Sequence, residues 1–566
     1  MKFPDSFQLT FNSMKFFPLL PTLLLCSLQM AFAQIEPPKD WFLKGEQEGF
    51  PGLNAEALYK RLPAGKKGQT VIVAVLDSGV DPEHEDLKPV MWTNPREIPG
   101  NGKDDDGNGY VDDIHGWNFL GNKNGENIRY DNLEVARLYA IYREKFKGKD
   151  ETALKGKARR EYDFYTSLKK QVDEGRAEAG QNFKLYNTVK GVMEELKKQI
   201  GKEDPTLEEL KNFKTTDMRL KQVSQIFIDQ LSQGISFKDF EKQFLEEYAY
   251  YDGRYNYNFN PDFNPRGIIG DNYQDLSERG YGNQDVRGPD ASHGTHVAGI
   301  IAATRGNNIG IDGVAQNVRI MSVRTVPDGD ERDKDVANAI LYAVDNGAKV
   351  INMSFGKGYS PEKSAVDRAV KYALKKDVLL VHAAGNDGKE NFNDNNFPND
   401  RFLKKGLFGP KYAANWIEVG ASNWIGGESL AAPFSNYSAK NVDVFAPGME
   451  IYSTLPGSTY GNQQGTSMAA PMISGAAAML RSWFPDLTAP QVKEILMASA
   501  SQVNTGAQKP GDDSVVPFSS LSVSGGIANL ESAFELAMKT VGKNKKGATA
   551  RPLRNGELAA APRVTP

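Results

Sequence analysis

The chain has 566 residues, 40% of them hydrophobic and 25% charged, enough for a buried core in more than one domain. Lys plus Arg (68) nearly balance Asp plus Glu (72), and the net charge of −4 gives no general attraction to nucleic acid. A single cysteine, Cys26, excludes an internal disulfide framework and a multi-cysteine zinc site, and histidine chemistry is limited to His84, His115, His293, His296 and His382.

Residues 1–33 read as a signal peptide. Met14-Lys15 gives a basic start, Phe16 to Met30 is largely apolar, and Ala31-Phe32-Ala33 has the small-x-small form of a cleavage site. A secreted or periplasmic protein is expected, in preference to a lipid-anchored one. Leu25 is too large for the residue before a lipidated Cys26. No later stretch offers the roughly 18 apolar residues of a membrane helix.

Residues 34–69 are polar with scattered Pro and Gly and read as an N-terminal arm. The body is expected over 70–125 and 265–540. There the apolar, β-branched run Val71 to Leu76 suits a strand buried on both faces, and similar runs recur at Val318 to Val323, Lys349 to Met353, Val378 to Ala383 and Trp416 to Ala421. Helical stretches such as Asp335 to Asn346 and Ser364 to Lys376 alternate with them, which predicts an α/β fold with a parallel sheet flanked by helices.

Residues 126–264 break the rhythm. They are rich in charge, and their apolar residues follow helical spacing: Val135, Leu138, Tyr142 and Phe146; Val189, Val192, Leu196 and Ile200; Phe240, Phe244 and Tyr248. Asp204-Pro205-Thr206 before Leu-Glu-Glu-Leu marks a helix start. This is an inserted helical domain of about four or five helices. It is either a surface decoration or a regulatory or substrate-gating module. Residues 541–566 read as a disordered tail.

Four segments carry chemistry. Asp77-Ser78-Gly79-Val80 places an acid at the end of the first buried strand, where sites of open α/β sheets gather. His293-Gly294-Thr295-His296-Val297-Ala298-Gly299 starts an Ala/Gly-rich helix that can approach another backbone closely. Ala383-Ala384-Gly385-Asn386 presents an amide just past a strand, and Gly465-Thr466-Ser467-Met468-Ala469-Ala470-Pro471 a serine at a helix start.

In order and in flanking residues these segments resemble the subtilisin-like serine peptidases, over roughly residues 70–120 and 285–540. The resemblance implies a subtilisin-like fold and a serine endopeptidase acting on proteins or peptides. It implies Ser467 as nucleophile, His293 as general base, Asp77 as the group orienting the imidazole, and Asn386 with the Ser467 N–H as oxyanion donors. His296 is expected to be structural, and His84, His115 and His382 have no evident partner. The alternative is a catalytically silent binding or surface interaction protein on the same scaffold. Only residues 34–76 lie between signal and Asp77, too few for the family's usual propeptide domain.

Asp104, Asp106, Asn108, the Tyr110 carbonyl and Asp112 copy the first half of an EF-hand loop, and a structural calcium ion is expected there. His115 stands where that loop needs a bidentate Glu, so a complete EF-hand is excluded. The family's usual calcium place corresponds to Asp86 and the loop Asn307 to Asp312, which is a residue short. Five carboxylates between Asp328 and Asp335 either cap the next helix or face the cleft and favour a basic residue upstream of the cleaved bond.

Overall fold

The computed structural model describes residues 36–544, except 64–65, 393–394, 405–408 and 513. The expected signal peptide with Cys26, and the tail from 545 onward, lie outside the described residues. The described chain forms two units, residues 36–129 with 265–544 and residues 130–264.

In chain order the first unit begins with helix α1 (Ala55–Arg61) and strands β1 (Val71–Asp77) and β2 (Gly116–Asn118). The second unit holds five helices: α2 (Glu134–Phe146), α3 (Gly156–Ile200), α4 (Leu207–Asn212), α5 (Met218–Ser232) and α6 (Phe237–Gly253). The first unit resumes with α7 (Ser292–Ala302), β3 (Val318–Arg324), α8 (Asp333–Asp345), β4 (Val350–Met353), α9 (Lys363–Lys375), β5 (Leu379–Ala383) and β6 (Trp416–Ser422). Then come β7 (Val444–Pro447), the hairpin β8 (Ile451–Leu455) and β9 (Thr459–Gln463), α10 (Thr466–Trp483) and α11 (Ala489–Ala498). The last elements are β10 (Ser501–Gln502), β11 (Gly506–Gln508), β12 (Val515–Pro517), β13 (Gly526–Ile527) and α12 (Leu530–Lys539).

Nine strands form one sheet in the order β10-β13-β7-β6-β5-β4-β1-β3-β2, parallel throughout except for β10 against β13. The expected parallel α/β sheet is therefore present. Its cause is visible in β1. Val71, Val73 and Val75 join a core with residues of α7 and α10, such as Ile300, Ile301 and Ile473. Ala74 and Leu76 join a second core with residues of α8 and α9, such as Ile340 and Val370. A strand covered on both faces needs apolar residues at every position, which is what the run from Val71 supplies. β1 lies between β3 and β4, so its C-terminal end sits in the middle of the sheet edge where ligands bind in such folds.

Residues 36–63 are more than a loose arm. Trp41, Phe42, Leu53 and Leu58 are buried in the core that holds α10 and α12. Trp41 Nε1 donates to the Glu450 carbonyl (3.2 Å), Tyr59 OH donates to the Val314 carbonyl (2.9 Å), and Arg61 pairs with Glu531.

In the second unit, Leu196, Val223, Phe227 and Phe237 form a small core against which Val189, Val192, Ile200, Phe240 and Phe244 pack. Thr206 caps α4 in a capping box with Glu209, so Pro205 precedes the cap instead of entering the helix. At 45 residues, about 68 Å, α3 is far longer than an average helix. No helix among the described residues is long and apolar enough to cross a membrane.

Candidate active site

Asp77 is the last residue of β1 and is 2% exposed. Its Oδ1 accepts from the Ser78 N–H (2.8 Å) and lies 2.7 Å from His293 Nδ1. Asp77 Oδ2 is buried without a partner, so the carboxylate is answered mainly by the imidazole. That bond places the neutral ring's proton on Nδ1 and leaves Nε2 as the free base.

Close packing brings the pair together. A Cβ on Gly294 would fall inside contact distance of the Gly79 carbonyl and 3.0 Å from Asp77 Cβ. Only glycine lets the start of α7 come so near the end of β1. Thr295 Oγ1 accepts from the Asp81 N–H (2.9 Å), which ties the same helix turn to the loop after Asp77.

Ser467 is the second residue of α10. Its Oγ donates to the Ser354 carbonyl at 3.2 Å, and Ser354 Oγ donates back to the Ser467 carbonyl at 2.8 Å. Ser354 follows β4 directly, so the serine is fixed to the strand beside β1. The hydroxyl's hydrogen bond in this structure thus runs to Ser354.

Asn386 follows β5, the next strand along. Its Oδ1 accepts from the Thr466 N–H (2.8 Å) and from Thr466 Oγ1 (2.9 Å). With the oxygen committed, the Nδ2 donor faces the other way. A Cβ on Gly465 would lie 3.2 Å from Asn386 Nδ2 and 3.6 Å from Ser467 N, so both donors border one small space. Gly465 has φ 145°, which excludes most other residues there. Asp77, Ser354 and Asn386 thus sit at the ends of three adjacent strands, with His293 and Ser467 brought in by two helix starts. Such an arrangement can activate a hydroxyl and stabilise an oxyanion beside it.

The other histidines serve the framework. His296 is fully buried, its Nε2 donates to the Ile451 carbonyl (2.9 Å), and burial pushes its pKa down to about 3. His84 Nε2 meets the Thr459 carbonyl (3.1 Å), His115 Nδ1 the Trp92 carbonyl (2.8 Å), and His382 Nδ1 the Glu418 carboxylate (2.9 Å).

The acidic loop from Asp328 to Asp335 turns largely inward, contrary to the cleft-facing expectation. Asp333 pairs with Lys357 (2.9 Å), and Asp335 pairs with Arg266 (2.6 Å) and accepts from Tyr281 OH (2.6 Å). Burial pushes the Glu331 carboxyl up to about 8. Of the five carboxylates only Asp328 is exposed.

The expected calcium ligands accept hydrogen bonds within their own loop. Asp104 accepts from the backbone of Asn108 (3.1 Å) and Gly109 (2.8 Å), and Asn108 Oδ1 from Tyr110 N (2.8 Å). Asp112 accepts from Asn101 N (3.2 Å) and Gly102 N (2.8 Å). These groups shape the loop. Asp106 instead joins Glu97 and Asp113 in a three-carboxylate cluster whose oxygens lie within 4.8 Å of one another. Burial pushes the Asp113 carboxyl up to about 6. At the other place, Asp86 is answered by Asn307 Nδ2 (2.7 Å) and Thr304 N (3.1 Å).

Sequence reasoning missed Ser354 and Thr466, which hold Ser467 and Asn386. Both lie next to predicted features, Ser354 after a strand run and Thr466 within the serine segment.

A family model described as the subtilase family matches residues 68–518. The chain is 39% identical over 223 residues to a thermophilic serine proteinase of Bacillus sp. (strain AK1), covering 39% of this chain and 49% of that protein. It is 39% identical over 218 residues to thermitase of Thermoactinomyces vulgaris, covering 37% and 71%. With subtilisin E of Bacillus subtilis (strain 168) the identity is 38% over 215 residues, covering 37% and 51%. The chain thus spans about half the length of two of these relatives.

Proposed function

The chain belongs to the subtilase family, and on that premise we propose that it is a secreted or periplasmic serine endopeptidase that cleaves proteins or peptides through an acyl-enzyme. The observation that carries the reading is the 2.7 Å bond from His293 to a buried Asp77 at the same sheet edge as Ser467 and Asn386.

In the proposed reaction the Ser467 hydroxyl leaves the Ser354 carbonyl and gives its proton to His293 Nε2 as it attacks the substrate carbonyl. Asp77 holds the ring and stabilises its cationic form. The carbonyl oxygen becomes an oxyanion in the space bordered by Asn386 Nδ2 and Ser467 N, where the start of α10 adds a favourable dipole. His293 then protonates the leaving amine. Water hydrolyses the acyl-enzyme by the same route.

Cleavage of a peptide library by the purified chain tests the reading. Wild type is expected to cleave and Ser467→Ala to be inert; equal cleavage by both overturns it.

A further inference from the structure

Asn436 lies on the connection between β6 and β7, far along the chain from Asn386, and is 4% exposed. It spends its hydrogen bonds on the segment that carries Asn386. Its backbone N–H donates to the Gly385 carbonyl (2.8 Å), and its Nδ2 donates to the Ala384 carbonyl (3.0 Å). Its Oδ1 accepts from the N–H groups of Asp387 (3.0 Å) and Lys389 (3.1 Å). Two of these bonds fall just before Asn386 and two beyond it, and none of the four goes to Asn386 itself. With two N–H groups on the oxygen and a carbonyl on the nitrogen, the Asn436 amide fits in one orientation only.

The bracket sits where regular structure has stopped. β5 ends at Ala383, and Gly385 then turns with φ 101°. Backbone groups that leave a sheet need new partners when they are buried, and Asn436 supplies them. A Cβ on Gly385 would lie 2.5 Å from Asn436 Nδ2, so glycine is what lets the amide come this close. Asn391 Nδ2 (2.7 Å) and Asn396 Nδ2 (3.1 Å) reach the same Ala384 carbonyl, and Asn436 adds the bonds beyond Asn386. Asn436 is itself anchored. Ser435 Oγ accepts from the Ala421 N–H (2.9 Å) and donates to the Asn436 carbonyl (2.9 Å), which ties the connection to β6.

We propose that Asn436 is a positioning residue for oxyanion stabilisation: it fixes the backbone on both sides of Asn386 and so fixes where Nδ2 meets the oxyanion. The proposal rests on the peptidase reading above. A donor contributes most when it need not reorganise as charge develops on the substrate oxygen. Thr466 holds the far end of the Asn386 amide, and Asn436 holds the main chain from which that amide projects.

A double-mutant cycle on the full-length chain, read by single-turnover acylation with an ester substrate, tests it. Asn436→Ala removes three side-chain bonds. It should slow acylation about 10-fold, less than the ~10²–10³ of losing the donor itself, and leave substrate affinity unchanged. In an Asn386→Leu background the same change should have almost no further effect, because the residue it positions is gone. Asn436→Asp keeps the acceptor for the two N–H groups and lacks the donor to Ala384. It should show the same non-additivity, and it decides the matter if Asn436→Ala does not fold. A merely structural residue would slow both backgrounds by the same factor. That result, or an unchanged rate in a folded Asn436 variant, overturns the proposal while wild type is still acylated. A wild-type chain that the ester does not acylate removes the peptidase reading, and the proposal with it.

Discussion

Asn386 and Thr466 are joined twice: the amide oxygen of Asn386 accepts from both the backbone N–H and the hydroxyl of Thr466. The bonds commit one end of the amide and so aim the other, Nδ2, at the space beside Ser467 N. Asn386→Leu should therefore slow acylation by about 10²–10³, the effect of deleting one such donor in subtilisin. Thr466→Val removes the aiming hydroxyl and not the donor. It should cost ~2–10-fold in the same step, the size of a neutral hydrogen bond of ~0.5–1.5 kcal/mol. Single-turnover acylation of an ester substrate measures both; an unchanged rate for Asn386→Leu would place the oxyanion elsewhere.

Gly294 is where α7 meets the end of β1. Gly294→Ala puts a methyl against the Gly79 carbonyl and Asp77 Cβ, so helix and strand must separate. Overpacking of this kind costs about 1–3 kcal/mol. Because the same contact sets the Asp77–His293 bond, kcat should fall along with Tm. Gly299→Ala would not be a suitable control, since a Cβ there clashes with Thr454. A stable, fully active Gly294→Ala chain would show that the close approach is dispensable.

His296 couples stability to pH. Its folded pKa of about 3 lies below the unfolded value of 6.5, through burial and secondarily the neighbouring His293 charge. The unfolded state then binds the extra proton, so this contribution is present above pH 6.5 and is lost as pH falls towards 3. The slope approaches ~1.4 kcal/mol per pH unit. His296→Gln should flatten the Tm profile between neutral and mildly acid pH, whatever other groups add. Parallel profiles for variant and wild type would count against the burial argument.

The buried pair Asp333–Lys357 should behave as an internal strut. Lys357→Met leaves Asp333 buried without its cation, held only by the Ser360 hydroxyl (2.9 Å) and the Glu362 N–H (2.8 Å), a loss of up to about 3–5 kcal/mol. Adding Asp333→Leu should restore part of it. Denaturant unfolding of the single and double variants decides. A single variant as stable as wild type would return the loop to solvent.

The sheet was legible because its signal is local. Apolar runs such as Val71 to Leu76 announce strands covered on both faces, and the residues around Asp77, His293, Asn386 and Ser467 mark the candidate site within a few positions each. What stayed hidden depends on partners far apart in the chain. The carboxylates of the Asp328–Asp335 loop find Arg266 and Lys357, and Asp113 finds Tyr342 more than two hundred residues on. Trp41 and Phe42 lie in a mostly polar stretch, yet both are fully buried. Three apolar residues in a row carry too little periodicity to reveal a docking segment.

The most direct test of the account is the residue that a fluorophosphonate labels, since only an activated serine reacts with it. The wild-type chain is expected to be modified on Ser467, identified by mass spectrometry of its peptide, with labelling strongly slowed in His293→Ala and absent in Ser467→Ala. An unlabelled wild-type chain, or equal labelling of Ser467→Ala, would contradict it.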